Sequence, residues 1–164
     1  MNAIPPEQVG GFAVPAGGNR LGSKLSVVGE EVSVKISSAD TVGAFTVCED
    51  VTSPLAGPPL HLHHDQDEWW YILEGEYLFE VDGKQIRASA GATVFARRGL
   101  PHTFQNIGQK PGRTLVTTVP GGLDVFFAEL SAMFPPGAAL HRERLATLFH
   151  KHGLELLGPP IGSR

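Results

Sequence analysis

Two histidines separated by a single residue, His61 and His63, place the strongest constraint on how this chain can fold. Side chains alternate along a β-strand, so both imidazoles lie on the same side if this segment is a strand. Glu68 follows a few residues later and can return to that side from the next strand, and His102 arrives much further along the chain. Three imidazole nitrogens and one carboxylate oxygen suit a divalent transition metal. A fold that holds all four must bring distant strands together, whereas an isolated histidine pair would more often be a solvated loop.

Size and composition restrict the class of protein. The chain has 164 residues and a formal net charge of −4, which favours one domain with its own core and gives no electrostatic reason to expect nucleic acid or an anionic membrane as partner. Its 20 glycines and 13 prolines favour many turns between short strands. Cys48 is the only cysteine, so an intrachain disulfide and a thiolate metal cluster are excluded.

No targeting or membrane segment is recognisable in the sequence. The first residues lack a basic region followed by an apolar run, as a secretory signal would have. No stretch approaches the roughly 20 apolar residues of a membrane helix. We therefore expect a cytoplasmic protein without a membrane partner. Residues 1–24, rich in glycine and proline, predict an extended N-terminal arm.

Short segments of good strand-forming residues follow one another between residues 25 and 120. Asp82-Gly83 is the strongest hairpin signal, and Glu74-Gly75 predicts another tight turn. The predicted strands are 32–37, 44–51, 60–64, 68–73, 77–81, 84–89, 92–96, 101–106 and 113–119. This spacing is typical of a β-sandwich or barrel.

The pattern becomes helical in residues 121–164. Apolar residues from Leu123 to Leu130 recur at helical spacing, and Pro135-Pro136 ends that helix. A second helix is predicted over about 139–152, with Gly153 as its stop. We expect this helical extension to pack on the outside of the β-domain, with a partner-binding face as the alternative.

The histidine segment and a later glycine-rich segment resemble the two sequence motifs of the cupin superfamily. The first motif is HxH, four residues, Glu, six residues, Gly, and it is matched by His61, His63, Glu68 and Gly75. The second runs Gly, five residues, Pro, one residue, Gly, two residues, His, three residues, Asn, and it is matched by Gly91, Gly99, His102 and Asn106. Arg97 stands where the family usually has proline.

The resemblance covers roughly residues 25–120 and implies a mainly β fold, a double-stranded β-helix or jelly-roll barrel. The helical pattern adds two C-terminal α-helices. Together with the segment that leads to His61, these helices look most like bacterial single-domain cupins of the quercetin 2,3-dioxygenase-like kind. Cupins of this kind commonly form homodimers, which we expect here.

The resemblance also implies the site and its chemistry. The implied ligands of one divalent transition metal per chain (Fe, Mn, Ni, Co or Zn) are His61, His63, Glu68 and His102. Glu68 would also be the catalytic general base. The implied function is a metal-dependent dioxygenase acting on a small flavonol-, enediol- or diketone-like substrate. Two alternatives stay open: a non-redox isomerase or lyase, which zinc would suit, and a non-enzymatic small-molecule-binding cupin.

Strand alternation suggests which residues surround the metal. Trp70 and Ile72 share a side with Glu68, and Phe104 and Asn106 share one with His102. These four are candidates for the substrate pocket, and core packing is an equal alternative. Surface positions are predicted for His64, Asp65, Asp67, Arg97, Arg98, His141, His150 and His152. Contact with a metal ligand stays an alternative for His64 and Asp67, and attraction of an anionic substrate stays one for Arg97 and Arg98.

Overall fold

The structure, a computed structural model, describes residues 10–27 and 30–163. Its strands are β1 (Leu25–Val27), β2 (Glu30–Ile36), β3 (Thr46–Thr52), β4 (Leu60–His63), β5 (Asp67–Glu74), β6 (Glu76–Val81), β7 (Lys84–Ser89), β8 (Thr93–Ala96), β9 (His102–Asn106), β10 (Gly112–Val119) and β11 (Leu154–Gly158). Its α-helices are α1 (Leu123–Met133) and α2 (Arg142–Lys151). The nine predicted strands correspond to β2–β10. Residues 1–9 of the predicted arm lie outside the described residues, and 10–24 contain neither helix nor strand.

Two antiparallel sheets form the barrel. One has the strand order β1-β2-β3-β10-β5-β8 and the other β11-β4-β9-β6-β7. Their inner faces meet in an aromatic core, where the ring of Trp70 on β5 lies 5.2 Å from that of Phe79 on β6. The prediction of a mainly β, double-stranded β-helix fold with two C-terminal helices is confirmed.

Both predicted turns are present. Asp82 and Gly83 have φ values of 51° and 72°, the conformation of the two-residue turn that best matches strand twist, and Val81 pairs with Lys84. Gly75 has φ of 96° and joins β5 to β6. A Cβ atom at Gly75 would lie 2.9 Å from Cα of Gly112, so the turn has no room for a side chain.

Both predicted helices exist, and their apolar side chains lie over the interior of the barrel. The rings of Phe126 on α1 and Phe149 on α2 lie 5.1 Å apart, and the Phe149 ring lies 5.7 Å from that of His61 inside the barrel. The helices therefore close the barrel over its interior. None of the helices in the described ranges has the length and apolar character needed to cross a membrane.

A buried carboxylate at the start of α1 attaches this cover to the barrel. Asp124 is 4% exposed. Its Oδ2 accepts hydrogen bonds of 3.1 Å from the backbone N–H and the hydroxyl of Ser38, and its Oδ1 accepts one of 3.1 Å from the Thr46 hydroxyl. The first turn of α1 is thereby held to β3 and to the loop before it.

Candidate metal centre

The two sheets contribute ligands from opposite sides of the barrel. His61 and His63 lie on β4, and His102 on β9 pairs directly with His61. Glu68 lies on β5 in the other sheet. All four side chains are buried, and one ligand atom from each lies within 4.8 Å of the others. Two ligands of one metal can lie at most two metal–ligand bonds apart, each of about 2.0–2.2 Å. The observed separation is close to that limit, so the cluster could hold one metal ion.

Backbone and side-chain oxygens determine which nitrogen of each imidazole carries hydrogen. Nδ1 of His61 lies 2.8 Å from the carbonyl oxygen of Pro59, and Nδ1 of His102 lies 2.9 Å from that of Leu100. Nδ1 of His63 lies 2.9 Å from Oε1 of Gln66. These oxygens can only accept, so each Nδ1 is the donor and each neutral ring presents a lone pair at Nε2. This is the tautomer that a metal ligand needs, oriented by a partner outside the metal's reach.

Gln66 was not predicted from the sequence. Its Nε2 donates hydrogen bonds of 3.1 Å to the carbonyl oxygens of Pro120 and Gly121. These two bonds determine the amide orientation and turn Oε1 towards His63. Its position between the strands of His63 and Glu68 could have suggested a role near the site. The Pro120-Gly121 segment that orients its amide, however, lies far along the chain.

The ligand atoms are poorly satisfied without a cation. Oε2 of Glu68 lies 2.9 Å from Nε2 of His102 and 3.4 Å from Nε2 of His63. None of these three buried atoms makes a hydrogen bond, and with hydrogen on each Nδ1 they face each other with lone pairs. A buried polar atom without a partner is costly. A divalent cation among them would satisfy all three, so the residues fit a metal.

The electrostatics of the cluster favour the same donor state. Burial, followed by the neighbouring charges of His102 and His63, lowers the pKa of His61 well below its ordinary value. Burial also lowers the pKa of His63, despite the nearby Glu68 carboxylate. Burial alone would raise the pKa of Glu68, but its interactions with the histidines lower it. Neutral imidazoles and an ionised carboxylate are the forms that bind metal.

A cavity of about 60 Å³ lies between this cluster and the two helices. Besides His61, His63 and Glu68, its lining is Val27, Glu30, Asp50, Pro58, Pro59, Trp70, Phe104, Leu123, Phe126, Phe127, Leu130, Leu145, Phe149 and Leu154. The walls are therefore mostly apolar. Two carboxyl side chains, Glu30 and Asp50, interrupt them.

The four predicted pocket residues divide into two groups. Trp70 and Phe104 line the cavity. Ile72 and Asn106 do not; both are fully buried in the barrel. The Asn106 amide donates to the carbonyl oxygens of Thr52 and Lys110, and its Oδ1 accepts from the Gly108 N–H. Asn106 therefore stabilises a loop. The pocket prediction included it because strand alternation gives the side of the sheet on which a residue lies but not its distance from the site.

The remaining predicted polar residues lie around this centre. Asp67 forms an ion pair with Arg98, with an N–O distance of 2.9 Å. His64 is exposed, as predicted. His152, predicted to lie on the surface, instead packs its ring 5.5 Å from that of Phe126 and lies 3.3 Å from the Glu129 carboxylate.

Two acidic side chains of the cavity were also missed by the sequence analysis. Asp50 alternates with Cys48 and Thr52 on the buried face of β3. An acid on an otherwise apolar face is a detectable signal. Glu30 offers no comparable signal because it stands at the beginning of β2, next to exposed Glu31.

Comparison with known proteins points to one superfamily for the barrel. Residues 52–118 match the profile of a family described as Cupin domain. The oxalate-binding protein of Thermotoga maritima is 39% identical over 49 residues, which are 30% of this chain and 40% of that protein. The chain spans less than half the length of the curated relatives it matches.

Solved structures agree at the level of the fold. KdgF from Halomonas sp. superposes with a TM-score of 0.60 at 17% identity, covering 71% of this chain and 98% of that one. A predicted oxalate decarboxylase from Thermotoga maritima gives a TM-score of 0.54 at 26% identity, covering 60% and 90%. The family match and these neighbours support the assignment of the barrel to the cupin superfamily.

Proposed function

We propose that this protein is a metal-dependent cupin dioxygenase that acts on a small organic molecule with two neighbouring oxygen atoms. One observation carries the proposal: three Nε2 lone pairs and one carboxylate converge within 4.8 Å at an apolar cavity. We propose His61, His63, Glu68 and His102 as ligands of one metal per chain. A redox-active Fe, Mn, Ni or Co ion supplies open positions for a chelating substrate and for dioxygen when bound.

The size of the cavity narrows the substrate class. About 60 Å³ is well below the roughly 300–1,000 Å³ of pockets for drug-sized ligands. A flavonol, with its three rings, would require the helices to move away. The cavity therefore favours an enediol or diketone of a few carbons, which is why we propose the small substrates and not the quercetin-like ones.

The residues of the chain have separate roles in this proposal. Phe126 and Phe149 on the covering helices exclude water from the reacting atoms, which strengthens the electrostatic interactions there. Glu68 is the proposed general base, because a metal needs only one oxygen of its carboxylate and the second oxygen can accept the substrate's hydroxyl proton. Trp70 and Phe104 position the carbon skeleton.

A second function is favoured by a different observation. A Thermotoga maritima relative is named oxalate-binding protein, and a solved structure from that organism is described as a predicted oxalate decarboxylase; the cavity of about 60 Å³ favours a similarly small ligand. The second candidate is therefore binding or non-redox cleavage of a small dicarboxylic acid. A zinc or manganese centre would suit it, and no oxygen would be consumed.

One set of measurements tests both functions. Elemental analysis of the purified protein gives the metal, and oxygen uptake and carbon dioxide release are then measured with small enediols, diketones and oxalate. We expect oxygen uptake in wild type and in His64→Ala, whose side chain is exposed, and none in His61→Ala. Metal-loaded protein that consumes no oxygen with any redox-active metal would contradict dioxygenation, and carbon dioxide release from oxalate would then support the second function.

The base role of Glu68 needs its own variant. Glu68→Gln retains an oxygen ligand but has a much weaker proton acceptor. We expect turnover to fall at least about a hundredfold, the order of a general-base contribution, while metal content falls much less. Equal loss of metal and turnover would leave Glu68 as a ligand alone.

We also propose a cytoplasmic homodimer. Tyr71 and Phe95, on neighbouring strands β5 and β8, are 44% and 55% exposed on the outer face of one sheet. Clustered exposed aromatic residues are typical of protein interfaces. Light scattering of wild type should give twice the chain mass, and Phe95→Lys should give the monomer; a monomeric wild type would contradict the proposal.

A further inference from the structure

Two carboxyl side chains in the cavity have no role in the metal centre. Glu30 on β2 and Asp50 on β3 both line the cavity that His61, His63 and Glu68 line. The sheet register pairs Glu30 with Thr52 and Asp50 with Val32, so the two acids are diagonal neighbours on the inner face. Side chains in this arrangement are within reach of each other.

Each of the two acids has one buried oxygen without a protein partner. Glu30 is 8% exposed and Asp50 is 2% exposed. Oε1 of Glu30 and Oδ1 of Asp50 are buried and have no hydrogen-bond partner. The cavity lining contains no lysine or arginine among the described residues. Unpaired buried acids destabilise a fold, and these two are placed where a ligand could pair with them.

The net charge of the cavity determines whether Glu30 and Asp50 must be protonated for an anionic substrate to bind. A divalent metal with Glu68 leaves one net positive charge, which suits an anionic substrate. Ionised Glu30 and Asp50 would reverse that charge and repel the substrate. Burial is the largest cause that raises the pKa of Asp50, and it acts with or without the metal. Burial and the charges of Asp50 and Glu68 also raise the pKa of Glu30 well above its ordinary value. Protonated acids are hydrogen-bond donors.

We propose that Glu30 and Asp50 bind the far end of the substrate by donating hydrogen bonds to a second carboxylate or carbonyl oxygen. The substrate is then a dicarboxylic or 2-oxo acid of two to four carbons, with one end at the metal ligands and the other at this acid pair. This inference rests on the proposed metal centre, since it needs the metal to hold the first end of the substrate. The substrate class that it adds fits the small dicarboxylic acid of the second candidate function better than an enediol or a diketone.

Three chelators distinguish binding at the metal from binding at the Glu30–Asp50 pair. Oxalate and oxaloacetate have acceptor oxygens beyond those that chelate a metal, whereas acetohydroxamate chelates through two oxygens and ends in a methyl group. Affinities are measured by calorimetry on protein loaded with Co²⁺, whose visible spectrum independently reports the metal site. The variants are Asp50→Asn, which keeps a donor, and Asp50→Leu, which does not. Glu30→Gln and Glu30→Met form a second pair.

We expect wild type to bind at least one diacid more tightly than acetohydroxamate. Asp50→Leu should weaken that diacid at least about tenfold, the order of a hydrogen bond to a charged group, and leave acetohydroxamate and the cobalt spectrum unchanged. Asp50→Asn should stay within about threefold of wild type. The thermal midpoint of Asp50→Leu should equal or exceed that of wild type, because it removes an unpaired polar group.

Several results would overturn the inference. These are equal weakening of diacid and acetohydroxamate, no weakening, equal affinities in Asp50→Asn and Asp50→Leu, or a second metal per chain that Asp50→Asn abolishes. If Asp50→Leu does not fold, the Glu30 pair decides by the same comparison. A failure of the proposed function looks different: wild type would then take up no cobalt, or bind none of the three chelators.

Discussion

Gln66→Met should weaken metal binding without unfolding the protein. The Gln66 amide holds His63 in the tautomer that presents Nε2, through a 2.9 Å hydrogen bond to Nδ1. The other two imidazoles are held by backbone carbonyl oxygens of Pro59 and Leu100, which no side-chain substitution removes. Gln66 is therefore the one such support among these three that mutation can test. Methionine has a similar length and accepts hydrogen bonds only weakly.

The size of the effect follows from the number of ligands affected. Only His63 of the four loses its partner, and loss of one such supporting contact typically costs 10–100-fold in metal affinity, or about 1.4–2.7 kcal/mol. The bonds from Gln66 to Pro120 and Gly121 are also lost. With three hydrogen bonds lost at about 0.5–1.5 kcal/mol each, we expect the metal-free protein to lose about 1.5–4.5 kcal/mol of unfolding free energy, towards the lower end because Gln66 is half-buried.

The assay is competition calorimetry with Zn²⁺, beside urea unfolding of the metal-free protein. Gln105→Met is the matched control, because the Gln105 amide also donates to a backbone carbonyl, that of Leu55, but contacts no ligand. We expect its zinc affinity to equal that of wild type. A Gln66→Met protein that binds zinc within twofold of wild type would refute the argument that this amide prepares His63.

Four further outcomes test the attachment of α1 by Asp124, the cover of the cavity by Phe149, the buried acid Asp50 and the metal. Asp124→Ala removes the acceptor of three hydrogen bonds and should cost about 3–5 kcal/mol in urea unfolding, because the donors of Ser38 and Thr46 lose their acceptor, with Asp124→Asn costing clearly less. Phe149→Ala should cost about 3–5 kcal/mol and let the protein bind bulkier chelators, measured by calorimetry. Because the pKa of Asp50 is raised to about 8 in the folded protein, the unfolding free energy of metal-free wild type should contain a component that falls as pH rises from about 4 to about 8. In urea unfolding across this range, Asp50→Asn should show a smaller fall, which comes from the raised pKa of Glu30. Removing metal present at a hundred times its Kd should lower the unfolding free energy by about 2.7 kcal/mol, or the thermal midpoint by about 5–10 °C; an unchanged midpoint would contradict a metal bound by the folded state.

Local patterns predicted the barrel well because its strands carry their signals within a few residues. The Asp82-Gly83 turn and the alternation of β2–β10 are of this kind. β1 has only three residues, and β11 lacks β-branched side chains, so neither has a strong local signal. β11 forms by pairing with β4, a contact that periodicity within residues 154–158 does not contain.

The site shows the same division between local and distant information. The ligand quartet follows from spacing, because HxH on one strand and the later Glu68 and His102 are features of the chain alone. The support of His63 by Gln66 depends on the distant Pro120-Gly121 segment. The helical pattern identifies Phe126 and Phe149 as members of apolar stripes, but not the cavity that those stripes cover.

The unsatisfied acids are the strongest argument that the cavity is functional. Glu30, Asp50 and Glu68 each have a buried oxygen without a hydrogen bond, and all three line the same mostly apolar space. Apolar residues of similar size would make a more stable barrel, since replacing unpaired buried polar groups is often neutral or stabilising. These three are the only buried carboxyl oxygens without a hydrogen bond among the described residues, and a stability cost of this kind at one cavity is a usual sign of a binding or catalytic site. The proposed metal accounts for Glu68, and the proposed substrate would supply the polar partner that Glu30 and Asp50 lack.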